Sequence, residues 1–450
     1  MSSLDLSAVA LSQAVRARNV TPQAVAAEAQ RRVAERNPAI NAICALNPEF
    51  ETEADKVAQS LDAGADLPLA GVPVVIKDNI WVKDLRIAAG SRVFANHMAP
   101  EDAEAVRRLR EAGAMILGIA TCTEFACKGA ADSPLHGVTH NPVDTRLTTG
   151  GSSSGPAAAV GASIVPLALG TDAGGSSRRP PAHVGVCGYK PTQDLIPYGP
   201  GFTEPVPRVS VICPIARHMD DIALSMSVLA DTAPQSPAKI RITASHDFGL
   251  NQALDPDVIS RFDAAMAAIR TAGGEVETAE INWPKDSAGV DVLPLQYAGL
   301  ALLYGAQWQA DPSLFDPLIG QQIKTGLQLS GIDVAAALQA SDRIRTTLLN
   351  ALNRYGVIAT PTTPCAAWRV DLLAPPEIGG RPAAPRDHAA FTSQANHAGC
   401  PALSIPCGSD TEGRPLGLQL IAAPGQDAAL LGLGQAIAPI VEGVERCAFC

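Results

Sequence analysis

At 450 residues, with 47% apolar and 18% charged side chains, the chain can fill the core of one large domain or of two. Its 34 Lys and Arg against 45 Asp and Glu leave a net charge of −11 and no long basic run, which argues against a nucleic-acid partner. No apolar run reaches the roughly 18 residues of a membrane span, and the start, Met1-Ser-Ser-Leu-Asp-Leu6, lacks a basic segment followed by an apolar one, so the expectation is a cytoplasmic protein without a membrane partner.

The first 60 residues read as helical, with Thr21 as N-cap, Pro22 at the first helical position and an alanine-rich run to Glu35. Val72 to Ile76 is a short apolar run bounded by Gly71 and Asp78, suited to a buried strand. Pro100 to Glu111 has helical spacing and stops at Gly113, and Ala114 to Ile119 reads as the next buried strand. A helix begins near Pro156, followed by an apolar strand over Ile164 to Leu169. Further on, Asp220 to Leu229 and Asp255 to Ala272 look helical, with Lys239 to Thr243 and Val276 to Thr278 as strands. Gly356 to Thr360, Ala402 to Pro406 and Leu416 to Ile421 are later strands, before a final helix from about Asp427. This alternation predicts a layered α/β fold in a single domain over 1–450. Residues 284–350 fit it least; they read as a helical excursion over the site, carrying Tyr297, Tyr304, Trp308 and Phe315.

The ten cysteines are scattered and read as small buried apolar residues of a reducing compartment. Cys447 and Cys450 form a C-x-x-C that no second pair answers, and the eight His show no ligand spacing. Neither a metal nor a cofactor is expected.

The chemistry concentrates between Thr149 and Thr192, where two glycine–serine turns, Gly150 to Gly155 and Gly174 to Ser177, flank a helix and a strand. Such turns bring backbone N–H groups close to a bound atom and place a hydroxyl beside them, the pairing that acyl transfer needs. A phosphate cradle would require Lys after Gly155, where Pro156 stands. A nucleophile elbow centred on Ser153 satisfies G-x-S-x-G but lacks the apolar strand that should precede it. Taken singly, a lysine after an apolar strand is usually solvated, serines in a turn are usually caps, and Asp172 with Arg178 reads as a surface ion pair.

Both turns together, with the intervening helix and Gly170-Thr-Asp-Ala-Gly-Gly-Ser-Ser-Arg178, closely resemble the amidase-signature family. The resemblance extends to Gly71-Val-Pro-Val-Val-Ile-Lys-Asp-Asn79, Gly188-Tyr-Lys-Pro-Thr192, Gly356-Val-Ile-Ala-Thr-Pro-Thr-Thr363 and Pro401-Ala-Leu-Ser-Ile-Pro406, and covers most of 20–280 and 355–442. It implies a three-layer α/β/α fold with a large twisted mixed sheet, a core motif over 71–192, and a serine amidohydrolase acting on linear amides. By the same resemblance Ser176 is the nucleophile, Ser152 the relay serine following a cis peptide bond, and Lys77 the base. The N–H groups of Ala173, Gly174, Gly175 and Ser176 would form the oxyanion hole, with Ser153, Asp172 and Arg178 in support. Burial at the end of Val-Val-Ile would keep Lys77 neutral, as a base must be.

Substrate recognition is less legible, and Cys127, Tyr304 and Trp308 are the candidates. The family's glutamyl-tRNA amidotransferase branch, a glutaminase that passes ammonia to a partner, holds glutamine with an acidic residue and an arginine. Those positions fall on Ala389 and Gln322, with Asp387 and Lys324 nearby. A free-standing hydrolase of small neutral or aryl amides, and of esters or carbamates, is therefore favoured over an ammonia-delivering component of a glutamyl-tRNA amidotransferase. This reading is compatible with a homodimer.

Overall fold

The computed structural model describes residues 2–442; the Cys447/Cys450 pair lies outside them. Its centre is an eleven-stranded mixed sheet. In chain order the strands are β1 (Ile43–Leu46), β2 (Pro73–Lys77), β3 (Met115–Ala120), β4 (Leu167–Asp172), β5 (Cys187–Lys190), β6 (Val211–Ala216), β7 (Arg241–Ala244), β8 (Glu275–Thr278), β9 (Ile358–Pro361), β10 (Ala402–Ser409) and β11 (Pro415–Ile421). Across the sheet they lie β1-β3-β2-β4-β6-β5-β10-β11-β9-β7-β8. β2 runs parallel to both β3 and β4, whereas β6 is antiparallel to β4 and to β5.

Every residue of β2 is buried, because helices cover both sheet faces. Side chains alternate along a strand, so neighbours enter different cores. Val74 and Ile76 belong to the apolar core on one face of the sheet, which also holds Val106, Leu109, Met226, Phe262 and Leu430. Val75 turns the other way, toward Leu11, Val25, Phe50 and Ala157. The layered α/β expectation holds.

Three local expectations change. The first 60 residues are not all helical: β1 pairs antiparallel with β3 at the sheet edge. The strand expected over Ile164 to Leu169 runs Leu167–Asp172, which carries Thr171 and Asp172 to the strand end where the site forms. β5 and β6 sit mid-sheet and were not anticipated. Pro214 of β6 pairs opposite Leu169, and a proline argues against a central strand because it has no N–H to donate. The excursion is helical, as expected, over Leu293–Ala310, Pro317–Gly326 and Gly331–Tyr355.

Candidate active site

Lys77 ends β2 and is completely buried. Its Nζ lies 2.8 Å from Thr171 Oγ1, 3.4 Å from the Thr171 carbonyl and 3.0 Å from Ser152 Oγ. Burial pulls its pKa from 10.5 down to about 8. A neutral amine has two hydrogens and one lone pair. If the two Thr171 oxygens take those hydrogens, the lone pair is left for the Ser152 hydroxyl. The Gly151–Ser152 bond is trans; among the described residues the one cis bond precedes Pro200. The expected cis bond is therefore absent: it would cost about 3 kcal/mol, and the trans turn already brings Ser152 to Lys77.

Ser176 stands in the turn that follows β4, slightly exposed at 7%. No hydrogen bond joins it to Ser152 among the described residues. The turn is shaped by Asp172, whose carboxylate accepts the Gly175 N–H at 2.7 Å and the Ser177 N–H at 3.1 Å. Gly175 is therefore committed to Asp172, whereas the N–H groups of Ala173, Gly174 and Ser176 have no acceptor among the described residues. Gly175 adopts φ +111, and a Cβ there would fall 2.2 Å from Thr392 Oγ1, so only glycine fits. Thr392 in turn donates to the Gly174 carbonyl at 2.7 Å.

Asp172 and Arg178 are wholly buried and joined through both carboxylate oxygens at 2.9 and 3.0 Å, so they are not a surface pair. Burial alone would raise the Asp172 carboxyl; the Arg178 charge, with hydrogen bonds from Arg178 and Asn396, more than offsets this and holds it below the carboxylate range. Arg178 also donates to the Thr392 carbonyl, Gln419 and Asn396 at 2.9, 2.8 and 2.6 Å. Ser153 is buried with its hydroxyl on the Thr171 carbonyl at 3.1 Å, which fits a brace and not an elbow nucleophile.

A cavity of about 230 Å³ opens beside Ala173 and Gly174, lined also by Val209, Val290, Gln296 and Arg386. Cys127, Tyr304 and Trp308 are not in its lining. Phe125 stacks on Tyr304 at 4.0 Å, and with Cys127, Leu300 and Ile319 they form an apolar cluster, against which Trp308 packs, that seats the excursion. Tyr304 and Trp308 are one helical turn apart, and that stripe faces the core. Cys127 acts through its carbonyl, which accepts from Gln296 and Gln322 at 3.1 and 3.4 Å.

Comparison with known proteins gives the family. The pattern describing the family Amidase matches residues 24–431. The chain belongs to the amidase family. It is 33% identical to a glutamyl-tRNA(Gln) amidotransferase chain of Deinococcus radiodurans, over 96% of each protein. It is 32% identical to an acylamidase of Rhodococcus erythropolis, over 95% of this chain and 93% of that one. A solved structure described as an amidase superposes with a TM-score of 0.90 at 26% identity, covering 97% of this chain and all of that one. The chain is thus an enzyme of the amidohydrolase kind, and among the described residues no helix is long and apolar enough to cross a membrane.

Several residues of the site were not anticipated from the sequence. Thr171 lies inside the Gly-Thr-Asp motif, and Asn79, two residues after Lys77, donates to Thr171 Oγ1 at 3.1 Å; their place in the motifs was the available signal. Thr392, Asn396, Gln419 and Arg386 come from the last quarter of the chain and carried none. The fold also gathers Cys44, Asp78 and His136, whose ligand atoms lie within 4.8 Å of one another. The Asp78 carboxylate is already engaged there by the Ala88 and Gly90 N–H groups at 2.7 and 2.8 Å and by His136 Nε2 at 2.8 Å.

Proposed function

We propose that the chain hydrolyses the carbon–nitrogen bond of small amides through an acyl-enzyme on Ser176. The observation that carries this reading is the buried Lys77, whose Nζ lies 3.0 Å from Ser152 Oγ. Ser176 gives its proton to Ser152 as Ser152 passes its own to Lys77, and Ser176 Oγ attacks the carbonyl carbon. The N–H groups of Ala173, Gly174 and Ser176 receive the negative charge that develops on the carbonyl oxygen. The proton then returns through Ser152 to the departing nitrogen, which amides need because an amide anion is a very poor leaving group. Water releases the acyl group by the same relay. An apolar or aryl body suits Val206, Val209, Val290 and Leu293 in the cavity, and esters and carbamates offer the same electrophilic carbon. The test is a panel of anilides, aliphatic amides, esters and carbamates with the purified chain, beside Ser176→Ala. Turnover that survives this substitution would refute the reading.

A second reading, an ammonia-delivering component of a larger complex, is supported by the likeness to the glutamyl-tRNA(Gln) amidotransferase chain over nearly the whole length. Against it stand Ala389 and Gln322, since Gln322 is spent on Gln296 and the Cys127 carbonyl. Asp387 does line the cavity, but one of its oxygens accepts the Ala384 N–H at 2.8 Å. Glutaramate, which is glutamine without its amine, separates the readings. The hydrolase reading expects it to be the better substrate; a clear preference for glutamine favours the ammonia-delivering role.

A further inference from the structure

The cavity beside Ala173 and Gly174 contains an unanswered charge. Arg386 lines it, yet among the described residues its guanidinium makes no hydrogen bond and no ion pair. The groups of opposite tendency near it are Tyr297 and Cys127, and burial pushes the Cys127 thiol up, which keeps it neutral. A second guanidinium, Arg179, has its pKa lowered by burial and lies near enough for the Arg386 charge to lower it further; it donates to His388 Nδ1 at 3.1 Å and to the Gly150 carbonyl at 3.3 Å, with its Nε buried and unpaired. Its chain neighbour Asp387 does not answer it, as no ion pair joins the two. Arg386 is half-buried, and a partly desolvated cation beside a like charge is unfavourable unless an anion answers it. Burial indeed lowers the Arg386 pKa.

We infer that Arg386 receives a carboxylate of the substrate, so that the preferred substrates are small amides carrying a carboxylate elsewhere in the molecule. The inference rests on the hydrolase reading for the position of the scissile bond. The carboxylate and the amide must share one compact molecule, because Arg386 lines the same cavity of about 230 Å³ as Ala173 and Gly174. A planar guanidinium fork matches a carboxylate edge to edge. One guanidinium in a lining that also carries the Asp387 carboxylate suits one negative charge and not the double charge of a phosphate. Arg386 is thus a specificity residue and takes no part in the proton relay.

The test compares ω-carboxy amides with partners in which a methyl replaces the carboxylate: succinamate with butyramide, and glutaramate with pentanamide. In the wild type kcat/KM should favour the carboxylate by about 10- to 100-fold, the range of a charge-assisted hydrogen bond. Arg386→Met should bring that ratio to about one, and Arg386→Lys should leave it between. A wild-type ratio near one, or an Arg386→Met variant that lowers both substrates equally, overturns the inference. Calorimetric binding to Ser176→Ala is read in parallel, with and without Arg386→Met. Tighter binding of the carboxylate that vanishes with Arg386, combined with no turnover of any amide by the wild type, would retire the hydrolase reading alone. Equal binding of both partners would overturn the role of Arg386 whatever the turnover.

Discussion

Replacing Lys77 with Met tests the relay most directly, because Met nearly fills the lysine's volume while removing the amine. With its pKa at about 8, roughly a tenth of Lys77 is neutral at pH 7 and roughly nine-tenths at pH 9. The neutral form is the active one, so wild-type kcat/KM should fall as pH drops through 8, about tenfold between pH 9 and pH 7. The sign follows from burial: it disfavours the charged amine, which places the loss on the acid side. Lys190 is also buried and also held near 8, so a wild-type profile alone does not assign the limb; its disappearance in Lys77→Met does. The substitution removes both the base for attack and the proton for the leaving nitrogen, each worth about 10² to 10⁴ in rate. An aryl ester needs only the first, because a phenoxide leaves without prior protonation. The assay is kcat/KM for an anilide and a phenyl ester of one acyl group, across pH, with folding checked by the unfolding midpoint. The anilide should lose activity by a clearly larger factor. Equal losses on the two, or a flat wild-type profile from pH 7 to 9, would refute the reasoning.

A fluorophosphonate should label Ser176, located by peptide mass spectrometry; labelling of Ser153 with Ser176 untouched would restore the elbow. Ser153→Ala should keep measurable activity and cost about 1 kcal/mol for the lost bond to the Thr171 carbonyl, as read by urea unfolding. Arg178→Met leaves the fully buried Asp172 without its cation and should destabilise by about 3 to 5 kcal/mol; an unchanged urea midpoint would show the pair to be dispensable. Exhaustive chelation should leave kcat unchanged, since Ser176 supplies the attacking oxygen, and a loss restored by added metal would point to the Cys44, Asp78 and His136 cluster.

The legible part of the site was local. Lys77 could be placed at a strand end because Val74 to Ile76 precede it, and the turns at Gly150 and Gly174 show in a few consecutive residues. What stayed hidden was brought in from afar. Thr392, Asn396 and Gln419 reach Arg178 across more than 200 positions, and no pattern in either segment points to the other. Arg386 sits in an irregular loop with no periodicity to assign its side chain a face. β5 has few residues and β6 contains a proline, so both escaped a reading based on long apolar runs. Tyr304 and Trp308 suggested a substrate pocket because aromatics line many pockets, yet their helical spacing was the better guide to what they touch.

The bonds from Arg178 to Thr392, Asn396 and Gln419 give the last quarter of the chain authority over the turn that carries the proposed nucleophile in its first half. A nascent chain that has reached residue 390 already holds Lys77, Ser152 and Ser176. It still lacks the carbonyl and amide oxygens that seat Arg178, and the Thr392 hydroxyl that grips Gly174. The Ser176 turn is left unbraced until β10 and β11 are laid into the middle of the sheet. On the proposed mechanism competence therefore arrives late in synthesis, and incomplete chains carry Lys77, Ser152 and Ser176 without the geometry that the relay needs.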